Sequence, residues 1–61
     1  MYDVTAVTNE LGYVALVADA AEEDAHAVAA NASAYANYSA VFVKVAATGR
    51  IAATYVNGKR S

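Results

Sequence analysis

The sequence predicts an α+β fold of order β-β-α-β-β, a four-stranded, mainly antiparallel sheet with one helix packed on one face. Three observations predict it: two β-branched stretches near the start, an alanine-rich segment opened by acidic residues, and two further Val-bearing stretches parted by a Gly-containing turn.

Tyr2 to Val7 (YDVTAV) alternates larger apolar with polar residues, the period-two pattern of a half-buried strand, and is placed at 2–7. Thr8-Asn9-Glu10-Leu11-Gly12 reads as a turn, because Asn9 and Gly12 tolerate positive φ, and the second strand follows at 13–17 (YVALV). Asp19 before Ala20-Ala21-Glu22 has the spacing of a capping box, and Glu22, Glu23 and Asp24 suit the positive end of a helix dipole. The alanine run beyond them has the highest helix propensity, so the helix is placed at about 20–36. On a helical wheel Ala21, Ala25, Val28, Ala32, Tyr35 and Ala36 face the sheet, while Glu22, His26, Ser33 and Asn37 face solvent. Strand three is placed at 40–46 (AVFVKVA) and strand four at 51–56 (IAATYV), joined through Thr48-Gly49-Arg50. The tail, 57–61, reads either as a frayed end or as the beginning of a turn with nothing left to pair with, and fraying is expected.

Composition bounds the function. A chain of 61 residues is read as one domain, and one this short buries only about 60% of the surface its unfolded form exposes. Small scaffolds are usually helped by disulfides, a metal or oligomerisation; with no Cys and a single His, oligomerisation remains. Seventeen alanines make the core thin, since each methyl removes little apolar surface from water. The longest apolar run, Tyr13 to Ala18, is far below the ~20 residues of a membrane span, so no membrane association is expected. The absence of a basic and apolar leader pattern and of Cys makes the cytoplasm the expected location.

Strand alternation assigns the two faces of the sheet. Lys44 must avoid the core, so Val41, Val43 and Val45 point to the helix and Phe42 points away with Lys44. By the same parity Ile51, Ala53 and Tyr55 point inward and Ala52, Thr54 and Val56 outward, with Asp3, Thr5 and Val7 outward on strand one. On strand two Val14 and Leu16 are expected inward and Tyr13, Ala15 and Val17 outward. One helix covers one face, so Val7, Tyr13, Val17, Phe42, Lys44 and Val56 form a candidate protein interface, most simply between two copies in a homo-oligomer.

Chemistry-bearing residues do not assemble into a site. His26 stands four residues after Glu22, but no nucleophile is placed beside it, and Ser33 and Ser39 lack triad partners, so no enzyme is expected. Glu22, Glu23 and His26 lack the second His of a zinc helix, and Gly12, Gly49 and Gly58 are too far apart to cradle a phosphate, so neither metal nor cofactor is expected. All six acidic residues lie within the first 24 positions and all four basic ones at or after 44. The alternative reading is therefore a nucleic-acid-binding sheet using Lys44, Arg50, Lys59 and Arg60, with Phe42 or Tyr55 stacking on bases. The net charge of −2 and pI of about 5.0 oppose it. The same segregation favours an antiparallel, salt-sensitive self-association.

Two phrases, Glu22-Glu23-Asp24-Ala25 opening the alanine-rich helix and Thr48-Gly49-Arg50-Ile51-Ala52-Ala53-Thr54-Tyr55-Val56-Asn57-Gly58 near the end, resemble small accessory proteins of actinobacteriophages. The resemblance implies cytoplasmic expression in a bacterial host and action by binding a host or phage macromolecule. It carries over no functional residue.

Overall fold

The computed structural model describes residues 1–10 and 12–61; Leu11, in the turn expected after Thr8, lies outside them. Among the described residues the chain runs β1 (Tyr2–Thr8), β2 (Gly12–Ala20), α1 (Glu22–Ser33), β3 (Tyr38–Val45), β4 (Ile51–Val56) and β5 (Lys59–Arg60). The strands form one antiparallel sheet in the order β2-β1-β3-β4-β5, with β3 central, and α1 packs across one face, mainly on β3 and β1. The α+β class expected from the alternation holds, with a fifth strand added.

The core lies between that face and the helix. Val4 and Ala6 from β1, Val41 and Val43 from β3, and Ala53 and Tyr55 from β4 meet Ala25, Ala29 and Ala32 of α1. Alanines on the helix let its backbone approach the sheet closely, and the apolar volume comes from the sheet. Each fully buried Val stabilises by roughly 1.5–3 kcal/mol, and three of them, Val4, Val41 and Val43, are fully buried.

The helix is shorter than the 20–36 expected, and the Asp19 capping box does not form. Strand β2 continues to Ala20, which pairs with Tyr2, and the Asp19 amide donates to Asp3 Oδ1 at 2.9 Å. Asp19 sits at φ 57, in the left-handed region, whereas an N-cap needs extended backbone. Ala21 takes that conformation instead and offers no side-chain cap; its carbonyl accepts the first helical bond, from Ala25 N–H. At the other end Ala34 and Tyr35 donate three residues back, to Asn31 and Ala32, a tightening that closes the helix before Tyr38 enters β3.

The tail is not frayed. Asn57 (φ 55) and Gly58 (φ 79) form a two-residue turn whose positive φ angles match the twist of a hairpin, returning Lys59 and Arg60 against Val56 and Tyr55. The Gly58 amide donates to Ser33 Oγ at 2.9 Å, and the Ser61 amide donates to the Thr54 carbonyl at 2.8 Å. Ser33, expected in solvent, is buried, and the turn lies close against the end of α1: a Cβ on Gly58 would stand 3.5 Å from that of Ala34.

Candidate functional site: the uncovered face of the sheet

The ladder registers place the outward residues in rows across the sheet. Tyr13, Val7 and Ala40 are paired neighbours, and Val56, one residue beyond the Val41–Tyr55 pair, continues that row to Lys59. The next row runs Ala15, Thr5, Phe42, Thr54, and the third runs Asp3, Lys44, Ile51. Phe42 thus stands mid-way along the central strand, between two threonines. Among the described residues no element covers this face, because α1 lies on the other. Tyr13 is 72% exposed, Ile51 51% and Val56 36%, while Val7, Phe42 and Lys44 are half-buried by their neighbours in the sheet.

Two parity expectations fail, each at a bulge. Thr5 pairs with Ala15 but Val4 with Val17, so the extra residue, Leu16, shifts Val17 to the helix side, where both pack against the core. Val17 is therefore not part of the outward face. Between Val43 and Lys44 the partner jumps from Ala53 to Ile51, and Ile51 joins the outward face instead of the core. Nothing in the local composition signals either bulge. Val14 lies on the helix side by register yet is 40% exposed, because β2 is the edge strand beyond the helix.

Of the basic residues, Lys44 and Lys59 share the face with Phe42, Arg60 pairs with buried Tyr55 and so faces the helix side, and Arg50 lies in the β3–β4 turn. Tyr55, 8% exposed, is not available for stacking on a base.

His26 is not on a solvated face. It is half-buried, with Nδ1 2.6 Å from the Tyr55 hydroxyl and the two rings edge to face at 5.8 Å. This contact gives the buried phenol its polar partner and fastens α1 to β4. Ser33 is engaged with Ala30 and Gly58, and Ser39 donates to the Val7 carbonyl, so neither meets the imidazole. Among the described residues no three His, Asp or Glu side chains are grouped to hold a metal. A shallow cleft of about 230 Å³ between Thr8, Asn9, Glu10 and Asn37 brings together amides and one carboxylate. At the start of the helix the Tyr2 hydroxyl donates to Glu22 Oε2 at 3.2 Å. The Glu22 negative charge, then that hydrogen bond, hold the Tyr2 phenol above its ordinary pKa of 10.0. Among the described residues no helix is long and apolar enough to cross a membrane.

No protein-family model matches the chain, and neither the curated proteins nor the solved structures contain a match.

Proposed function

We propose that the protein is a non-enzymatic interaction module that self-associates by closing the uncovered face of its sheet, with Phe42 at the centre. The observation that carries this reading is the placement of Val7, Tyr13, Phe42, Ile51 and Val56 on one face that no described element covers. Contiguous apolar surface of this kind marks interaction sites on soluble proteins. A chain of 61 residues, with Val4, Val41 and Val43 the large apolar side chains fully buried among the described residues, also gains stability from further burial. A cytoplasmic location belongs to the same proposal, as does a host or phage macromolecule bound in addition, which follows from the resemblance to actinobacteriophage accessory proteins.

A second reading, a nucleic-acid-binding sheet, is favoured by one observation, the presence of Lys44 and Lys59 on the face that holds Phe42. The net charge of −2 and the burial of Tyr55 weigh against it.

Light scattering of the wild type beside Phe42→Asp tests the first reading. The wild type is expected to scatter as a dimer at high concentration and the variant as a folded monomer. A variant that stays assembled removes this face as the interface. A steep loss of binding to single-stranded probes with added salt marks the second reading.

A further inference from the structure

We infer that two copies meet about a twofold axis running along β3, so that the β2 edge of each lies over the β5 edge of the other. This orientation rests on the face-to-face reading above and specifies its partner, a second copy, and its contacts.

Folding turns the charge segregation of the sequence into a lateral one. Strand β2 is one edge of the sheet and β5 the other. The acidic residues Glu10 and Asp19 belong to β2 and its preceding turn, while Lys59 is on β5 and Arg50 precedes β4; Glu22, Glu23 and Asp24 of α1, and Arg60, lie on the covered side and take no part. Asp3 and Lys44 lie between them, paired on β1 and β3. Two like sheets can close face to face about an axis along the strands or about an axis across them. An axis across the strands lays β2 over β2 and β5 over β5, acid upon acid and base upon base. An axis along β3 reverses the strand order, and opposite charges meet.

Under the second arrangement the first two rows are complementary, and the third sets Asp3 of one copy over Ile51 of the other. Tyr13 of one copy lies over Lys59 of the other, Val7 over Val56, Thr5 over Thr54, and Phe42 meets its own counterpart on the axis. Glu10 is brought toward Lys59 and Asp19 toward Arg50. The two Lys44 side chains approach at the axis, and Asp3 from each copy flanks them, balancing the charge. An axis across the strands would instead set Val7 against Asp3, Ala40 against Lys44 and Val56 against Ile51. The molecule measures 28 × 21 × 16 Å, and the two longer dimensions fit a nine-residue strand and five strands at about 3.3 Å per residue and about 4.8 Å between strands. Two such faces bury on the order of 1,000 Å² together, just below the range of stable specific interfaces. The preference between the two orientations is therefore carried by the charges at the edges.

The chain has no Cys, so single-Cys variants report cleanly. Tyr13→Cys and Lys59→Cys, mixed and treated with a bis-maleimide spanning the gap of about 10 Å between packed sheets, are expected to give a cross-linked dimer, and either variant alone none. Independently, raising the salt is expected to weaken the wild-type dimer by roughly tenfold, as loss of a few exposed ion pairs does. Cross-linking of Tyr13→Cys with itself, a wild-type dimer without the mixed cross-link, or a dimer tightened by salt would each overturn the orientation and leave the face reading in place. A wild type that stays monomeric in light scattering overturns both.

Discussion

The two faces of the sheet are built from the same strands and differ in what lies over them. On the helix side Val4, Val41 and Val43 are fully buried, and alanines of α1 fill the gaps. On the other side Val7 and Phe42 are half-buried, and Tyr13 and Ile51 are more than half exposed. Adjacent residues of β3 therefore live in opposite environments, and a substitution at each separates folding from association.

The largest effect is expected from a charge on the covered face. Val43→Asp places an unpaired carboxylate in the core and should leave the chain unfolded by circular dichroism, whereas Phe42→Asp, one residue away, should keep the folded spectrum. Equal damage from both would erase the distinction between the faces. Next comes the polar tie that completes the covered side. Ser33→Ala removes the acceptor of the Gly58 amide and should cost about 1–2 kcal/mol in denaturant unfolding without changing the mass in solution. A smaller gain is expected at the start of α1, where Ala21 supplies no side-chain cap: Ala21→Ser should stabilise by about 1 kcal/mol.

The smallest effect concerns pH. The Tyr2 phenol, held protonated by the Glu22 carboxylate, should ionise above 10.0 in a spectrophotometric titration, and Glu22→Gln should bring it back toward that value. Because the folded pKa is raised, any stability it lends is present below pH about 10 and lost as pH rises through the folded value. A Tyr2 titration unchanged by Glu22→Gln would dissociate the two groups.

The fold was legible where the ladders are regular. Val4 and Ala6, and Val41 and Val43, alternate as their strands read, and Lys44 points Phe42 outward. Parity arguments break at Leu16 and Ala52, because one extra residue in a strand sends the side chains on its far side to the other face, Val17 in β2 and Ile51 in β4. The helix phase was harder to read. With Val28 its one large apolar residue, an alanine helix has no strong stripe to orient it, and the buried line through Ala25, Ala29 and Ser33 is rotated from the expected one. The same weak phase hid the contact between His26 and Tyr55. Asn57-Gly58 carries the strongest local hairpin signal, but the strand it returns, Lys59–Arg60, is too short to show a pattern of its own. Of the outward candidates Val7, Tyr13, Phe42, Lys44 and Val56 share the face, Val17 leaves it and Ile51 joins it.

The central claim is that a second copy covers Phe42, and sedimentation equilibrium of the wild type over the micromolar to millimolar range measures it most directly. The mass is expected to rise with concentration from 6.3 kDa to twice that value and to level off there. A mass that stays at 6.3 kDa throughout, or climbs without a plateau, would contradict it.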